Sequence, residues 1–295
     1  MIETMEFVLS TSVVLANGLT SIRIPVCIAH CPHRGYNEFS RTGSWLIGWL
    51  RGWPQAIDPN TGWVMPAKGT QQMNATSAHD TTALVVIGGS PPKRSIVQHL
   101  PRYDFVIAAD SGLHAAIDLE LRVAAVVGDM DSVDPAVLAV AQATGSHIER
   151  VPRDKDNTDT ELALLTAVAR GARHITVITG GGGRLDHQLG VLAVMQHPAL
   201  TGCSVQAFWD TAQLHLVRGP GSIEITGPVG GIVGITPAGG HAEGISTRGL
   251  RWTLNNESLL AYSTRGISNE MAEQQATITV TNGNLFIIQP NALES

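Results

Sequence analysis

Val123-Ala124-Ala125-Val126-Val127-Gly128-Asp129-Met130-Asp131-Ser132 is the stretch on which the reading of this chain turns. It opens as an apolar run of the length and type of a buried strand and stops at a glycine followed by two carboxylates two positions apart. In an extended chain residues i and i+2 point the same way, so Asp129 and Asp131 are expected to face one cation together. Like charges held that close repel, and a metal or a proton between them relieves the repulsion. Mg2+, a hard ion taken up by one or two carboxylates plus substrate phosphates, suits the pair. Asp131-Ser132-Val133-Asp134-Pro135 also reads as a turn into a helix, with Asp134 as N-cap and Pro135 at the first helical position. That role accounts for Asp134 and leaves Asp129 and Asp131 unexplained.

On both sides of this stretch, strand, turn and helix alternate. Ala83–Ile87 reads as a buried strand ending in Gly88-Gly89-Ser90, and Phe105–Ala109 as another ending in Asp110-Ser111-Gly112 before a helix. A helix is expected from Pro135 to about Thr144 and a short strand over His147–Val151, followed by Pro152-Arg153-Asp154-Lys155-Asp156-Asn157-Thr158-Asp159. Thr158 and Glu161 have the spacing of a capping box, which puts Asp159 in a helix's first turn. His174–Thr179 reads as the last strand of this kind, before Gly180-Gly181-Gly182-Gly183-Arg184 and a helix from Leu185 to about Gln196.

Such alternation predicts an α/β fold, a mostly parallel sheet with helices on both faces, whose ligands bind beyond the carboxyl ends of the strands. Asp110, Asp129, Asp131, Asp159, Arg184 and Asp186 all fall at that edge. One strand-end carboxylate is commonly only a cap; several at one edge point to a metal–phosphate site. The glycine run offers backbone N–H groups to phosphate oxygens and Arg184 a guanidinium fork, although no Gly-Lys-Ser/Thr follows to make a P-loop.

Beyond about Gly202 the helical patterns end. Short β-like runs follow at Ser204–Phe208, Gln213–Val217, Ser222–Thr226, Gly231–Thr236 and Leu259–Ser263. Ala276–Val280 and Leu285–Ile288 flank Thr281-Asn282-Gly283-Asn284 and read as an Asn-Gly hairpin. The expected organisation is an extension over 1–80, an α/β domain over 81–203 and a smaller all-β, sandwich-like domain over 204–295. In the last of these Trp252 reads equally as core filler and Ser268-Asn269 as a turn.

Composition narrows the function classes. A chain of 295 residues, 43% hydrophobic and 15% charged, has material for two cores, and a net charge of −6 argues against a broad nucleic-acid face. Cys27, Cys31 and Cys203 are too few for a disulfide framework, which fits a reducing cytoplasm. No apolar run has membrane-spanning length, and Glu3 and Glu6 stand where a signal peptide needs positive charge. Trp45, Trp49 and Trp53 share a helical spacing interrupted by Gly48 and Gly52, so residues 1–80 are expected to be poorly ordered or a docking patch. Cys27, His30, Cys31 and His33 crowd four potential zinc ligands together with no second pair at a usual spacing, which reads as coincidence. Periodic sequence begins only near Thr82, so the natural chain is expected to start at Met73.

Ala109-Asp110-Ser111-Gly112, Gly128-Asp129-Met130-Asp131-Ser132, Asp154-Lys155-Asp156-Asn157-Thr158-Asp159, Gly182-Gly183-Arg184-Leu185-Asp186-His187, Gly249-Leu250-Arg251-Trp252 and Ser268-Asn269-Glu270 occur in that order. With them the chain resembles the thiamine pyrophosphokinase family from about Leu84 to Ile288. The resemblance implies transfer of the β,γ-diphosphate of ATP to the hydroxyl of thiamine, giving thiamine diphosphate and AMP, with Mg2+. It implies Asp129, Asp131 and Asp159 as metal ligands with Asp110 in the same acidic cluster, and Gly180, Gly181, Arg184 and Thr158 on the ATP side. It further implies a homodimer with active sites between chains, where the partner's counterparts of Trp252, Ser268 and Asn269 line the thiamine pocket and Asp186 meets the aminopyrimidine. Met130 stands where the family usually has Phe. Transfer of this kind needs in-line positioning and charge neutralisation, which carboxylate-held metal, Arg184 and backbone N–H groups can provide.

Two other classes of function compete. Asp129-Met130-Asp131-Ser132-Val133 also reads as the nucleophile and acid/base pair of a haloacid-dehalogenase-type phosphatase, which leaves the β-module, Arg184, Asp186 and Asp159 without roles. A non-catalytic nucleotide or thiamine sensor with the same fold is the other; the occupied acidic positions argue against it.

Overall fold

The computed structural model describes residues 80–294. The expectations for the tryptophans and the Cys/His cluster of residues 1–72, and for Met73 as the start, lie outside the described residues.

Five strands and four helices alternate first: β1 (Thr82–Val86), β2 (Phe105–Ala109), α1 (Gly112–Asp118), β3 (Val123–Gly128), α2 (Pro135–Ala143), β4 (His147–Arg150), α3 (Asp159–Ala169), β5 (His174–Thr179) and α4 (Leu185–Val194). Then come β6 (Ser204–Trp209), β7 (Ala212–Arg218), β8 (Gly221–Thr226), β9 (Ile232–Arg248), β10 (Glu257–Leu259), β11 (Asn269–Glu270), β12 (Gln275–Val280) and β13 (Asn282–Gln289). The sheet order is β4-β3-β2-β1-β5-β6-β7-β13-β9-β12-β8. From β4 to β6 all pairs are parallel; β6 and β7 are antiparallel. The chain runs outward from β1 to β4 and returns to the other side of β1 as β5, so the strand order reverses there, and a ligand crevice is expected beyond these strands' carboxyl ends.

Alternating side chains of the parallel strands feed two cores. Ala83, Val85, Val127 and Val177 pack under α3 and α4, while Leu84, Val86, Val126 and Ile178 pack under α1 and α2. Helices thus cover both faces, as the sequence pattern predicts.

Four sequence expectations are corrected. His174–Thr179 is not the last parallel strand, because Ser204–Trp209 pairs parallel with it, residue for residue from His174↔Ser204 to Thr179↔Trp209. Leu200 and Cys203 pack into the same core, so the sheet continues without a break past residue 203. Nor do Ala276–Val280 and Leu285–Ile288 form a hairpin: β12 pairs with β8 and β9, β13 with β7 and β9. The strand between them, β9, is far longer than the run Gly231–Thr236, because Gly239 and Gly244 take positive φ and bend it without ending it. Its first half pairs with β13 and its second with β12, wrapping a third core that contains Val233, Ile245, Ile278 and Ile287. Leu259 ends β10, and residues 260–263 are not strand.

Where the two halves meet, the sheet carries a polar row. Gln206 donates to Thr176 Oγ1 at 3.0 Å, Gln213 donates to Gln206 Oε1 at 3.1 Å, and His215 lies directly across from Gln206. Burial pushes the pKa of His215 down to about 4.

Candidate active site

The carboxyl ends of β1, β2, β3 and β5 open into a cleft of about 740 Å³. Asp110 follows β2 directly, with φ of +45°, and is only 9% exposed. Gly128 closes β3 tight against Asp110: an added Cβ would sit 3.0 Å from Asp110 Cβ. Asp129 and Asp131 do meet, by a different route from strand alternation. Met130 has a φ of +64°, and the Asp131 N–H donates to Asp129 Oδ1 at 3.0 Å, so a tight Asx-type turn brings the carboxylates together. Oxygen atoms of Asp110, Asp129 and Asp131 lie within 4.8 Å of one another. Burial raises the pKa of Asp110, and the neighbouring charges of Asp159, Asp129 and Asp131 add to the rise.

Thr158 caps α3, its hydroxyl accepting from the Glu161 N–H at 3.2 Å. Only that half of the capping box forms, because Glu161 Oε1 accepts from Asn157 Nδ2 at 2.6 Å. Asp159 thereby sits at the start of α3 and enters the cleft, where the ammonium of Lys155 stands 2.9 Å from its Oδ1 and 3.9 Å from Asp129 Oδ2. Arg153 approaches Asp131 at 3.4 Å.

The glycine run divides. Gly180 is structural: its N–H donates to Ser90 O at 3.0 Å, and it does not line the cleft. Gly181 lines the cleft, but its N–H donates to Thr179 Oγ1 at 3.0 Å and an added Cβ would lie 2.4 Å from Trp209 Nε1. The N–H groups of Gly182 and Gly183 have no partner among the described residues, and both glycines line the cleft. Arg184 and Asp186, given separate roles from sequence, hold each other: Arg184 Nε and Nη2 donate to Asp186 at 3.1 and 2.6 Å, both side chains exposed. The guanidinium keeps the Asp186 carboxyl below the usual carboxylate range.

Trp252, Ser268 and Asn269 form a separate group on the β half and do not line this cleft. Asn269 is 6% exposed and acts as a clamp, accepting from the Trp252 and Glu270 N–H groups at 3.1 and 2.9 Å and donating to Trp252 O at 2.8 Å. Ser268 takes a φ of +62° at the turn. The indole of Trp252 is 52% exposed, and the guanidinium of Arg251, itself paired with Glu270 at 2.7 Å, lies 4.7 Å from its ring centroid.

Two cleft-lining residues, Lys155 and Trp209, escape a sequence reading, and a third feature, which glycines of the run stay open, is not resolved by it. Lys155 precedes Asp159 by four residues, a spacing that could have flagged it. Trp209 lies at the end of a strand whose parallel pairing the sequence does not announce, and Gly182 and Gly183 differ from Gly180 and Gly181 only in what surrounds them.

Residues 97–207 match the family model described as "Thiamin pyrophosphokinase, catalytic domain", and residues 222–285 match "Thiamin pyrophosphokinase, vitamin B1 binding domain". The chain belongs to the thiamine pyrophosphokinase family. It is similar to thiamine pyrophosphokinase 1 of Oryza sativa subsp. japonica, 28% identical over 173 residues, which is 55% of this chain and 64% of the rice protein. It is also similar to thiamine pyrophosphokinase of Bacillus subtilis, 24% identical over 212 residues, covering 70% of this chain and 98% of that one. In fold it matches the crystal structure of thiamine pyrophosphokinase from Bacillus subtilis with a TM-score of 0.64 at 23% identity, across 72% of this chain and 99% of the other. The first family model falls on the cleft-bearing half and the second on the half that carries Trp252. Among the described residues no helix is long and apolar enough to cross a membrane.

Proposed function

We propose that this chain is a thiamine diphosphokinase, an ATP-dependent diphosphotransferase that makes thiamine diphosphate and AMP in the cytoplasm. The observation that carries the reading is the convergence of the Asp110, Asp129 and Asp131 carboxylates in a cleft that also presents the N–H groups of Gly182 and Gly183, which have no partner among the described residues. In the transfer, the hydroxyl oxygen of thiamine forms a bond to the β-phosphorus, and the bond from that phosphorus to the α,β-bridging oxygen breaks. The bridging oxygen leaves with AMP, and the hydroxyl proton is released.

A divalent ion fits the residues present. The donors are hard carboxylate oxygens, and Asp110 Oδ1 is buried with no hydrogen-bond partner among the described residues. Asp129, Asp131 and Asp159 would hold Mg2+, with Asp110 beside them, and the ion would supply neutralisation of phosphate charge. The chain's own groups do the rest. Gly182 and Gly183 donate N–H groups to phosphate oxygens, Arg184 adds a fork once released from Asp186, and Thr158 fixes the start of α3. Asp110, made more basic by burial, is the candidate acceptor for the hydroxyl proton.

Thiamine is a flat cation, and the exposed indole of Trp252 suits it by stacking and charge. Because Trp252, Ser268 and Asn269 do not line the cleft of their own chain, the complete site joins the cleft of one protomer to the Trp252 face of a second in a homodimer. Exposed Leu185 and Leu189 on α4 and exposed Ile232 and Ile267 on the β half are the apolar surfaces such an assembly would cover. Asn269, its amide spent on the Trp252 backbone, positions the indole, while Asp186 is left to meet the aminopyrimidine.

Purified protein incubated with ATP, Mg2+ and thiamine should yield AMP and thiamine diphosphate in equal amounts by chromatography. Appearance of ADP or free phosphate in their place would refute diphosphotransfer.

A further inference from the structure

Lys155 lies in the loop between β4 and α3, turned inward by a tight step in which its N–H donates to Arg153 O at 3.1 Å. Its side chain is 15% exposed and ends between two carboxylates, 2.9 Å from Asp159 and 3.9 Å from Asp129. An ammonium buried to that degree is costly unless it is paired and hydrogen-bonded. Asp159 Oδ1 has no other polar partner among the described residues, so the Lys155 ammonium is what meets it. Lys155 also lines the cleft itself, along with the glycines that face the phosphates.

Charge decides what the ammonium is for. Asp110, Asp129, Asp131 and Asp159 together carry more negative charge than one divalent ion cancels, and ATP brings a polyphosphate into the same cleft. Without further cations the cluster would repel the substrate it has to hold. Arg153 and Lys155 are the cations nearest the cluster, but Arg153 is 83% exposed and its charge is screened by water. Lys155 lies in a drier place, where a charge acts more strongly.

Resting on the diphosphotransfer reading, we infer that Lys155 is a catalytic residue whose ammonium binds a non-bridging oxygen of the diphosphate being transferred, with Asp159 and Asp129 as its positioning residues. No bond is made to Lys155, and it keeps its protons throughout. It donates to the β-phosphate as the bond to the thiamine oxygen forms and the bond to the α,β-bridging oxygen breaks, with AMP leaving. A cation fixed beside the transferring group stabilises the charge that group carries in the transition state.

The test compares Lys155→Gln and Lys155→Arg with the wild type, using Asp131→Asn as the reference for a lost metal ligand. Three quantities are read: Mn2+ affinity without nucleotide by electron paramagnetic resonance, affinity for α,β-methylene-ATP by calorimetry, and turnover with thiamine. K155Q is expected to keep Mn2+ affinity at or above wild type, to bind the analogue at least about tenfold more weakly, and to lose about a hundredfold or more in kcat. K155R, which keeps the charge but changes its reach, is expected to recover analogue binding and only part of kcat. A K155Q protein that loses Mn2+ affinity as D131N does, or that keeps normal analogue affinity and kcat, overturns the inference. If K155Q does not fold, a folded K155R with unchanged kcat overturns it equally. A wild type that makes no thiamine diphosphate would sink the functional reading alone, and analogue binding would still decide whether Lys155 meets the phosphates.

Discussion

The two halves of this molecule treat their polar groups in opposite ways. In the α/β half, Asp110 Oδ1 is buried and, like the N–H groups of Gly182 and Gly183, has no hydrogen-bond partner among the described residues. In the β half, Asn269 spends its whole amide on the backbone at Trp252 and Glu270, and Arg251 is both paired and stacked. One half holds unsatisfied groups that a ligand must complete. The other uses satisfied groups to hold an indole out into solvent. A buried polar group without a partner costs free energy, so it persists where something outside the chain offsets that cost; a clamp stabilises the chain by itself.

The contrast gives its sharpest handle at the metal cluster. Asp131→Asn should lower turnover by about a hundredfold to a thousandfold while leaving thermal unfolding unchanged, because Asp131 is exposed and its side chain meets only neighbouring Ser132 and the exposed Arg153 among the described residues. A large loss of melting temperature together with the lost activity would mean that the cluster is structural after all.

The seam between the halves should respond to acid. His215 has its folded pKa pushed down to about 4 by burial, so the unfolded chain takes up a proton that the folded chain refuses. Its stabilising contribution is full above about pH 6.5 and is lost as pH falls toward 4, by at most about 3 kcal/mol. Urea unfolding at pH 7 and pH 4.5 should show that loss in the wild type and a clearly smaller one in His215→Gln.

In the β half, Asn269→Ala leaves the Trp252 and Glu270 N–H groups without their acceptor and should cost about 1–3 kcal/mol of stability. It should also raise KM for thiamine more than KM for ATP, measured by separate substrate titrations. An equal rise in both would erase the division between the halves.

The smallest effect has the opposite sign. Asp110 carries a raised pKa, so its contribution to stability is present below the unfolded aspartate pKa and is lost as pH rises through the folded value. Asp110→Asn should therefore raise the melting temperature of the metal-free protein slightly at neutral pH and lower its turnover. A drop in melting temperature would count against Asp110 as a buried, unrepaid charge.

The same contrast explains what could be read from the sequence. The parallel half announces itself because β1, β2 and β3 are largely apolar, β5 carries Ile175, Val177 and Ile178 alongside its threonines, and each strand reaches Gly or Asp within two residues of its end, so the acidic edge followed from alternation. The β half does not, because β9 crosses Gly239 and Gly244 without stopping, and a period of two broken by glycines looks like two strands. Asn282-Gly283 then mimics a hairpin, although β9 separates the strands on either side. Within the site, the residue types were legible and their partners were not. Nothing local tells Gly180, packed against Ser90, from Gly182, open to the cleft, and nothing local joins Arg184 to Asp186. Those depend on chain segments far apart in sequence and on rotamers.

The most direct test of the account is to co-express Asp131→Asn and Trp252→Ala chains carrying different tags and to assay the purified mixed dimer. Each homodimer should be nearly inactive. If the cleft of one chain works with the Trp252 face of the other, the mixed dimer holds one intact site and should recover about half the wild-type turnover per dimer. A mixed dimer as inactive as its parents would contradict a site shared between chains, and with it the assignment of opposite tasks to the two halves.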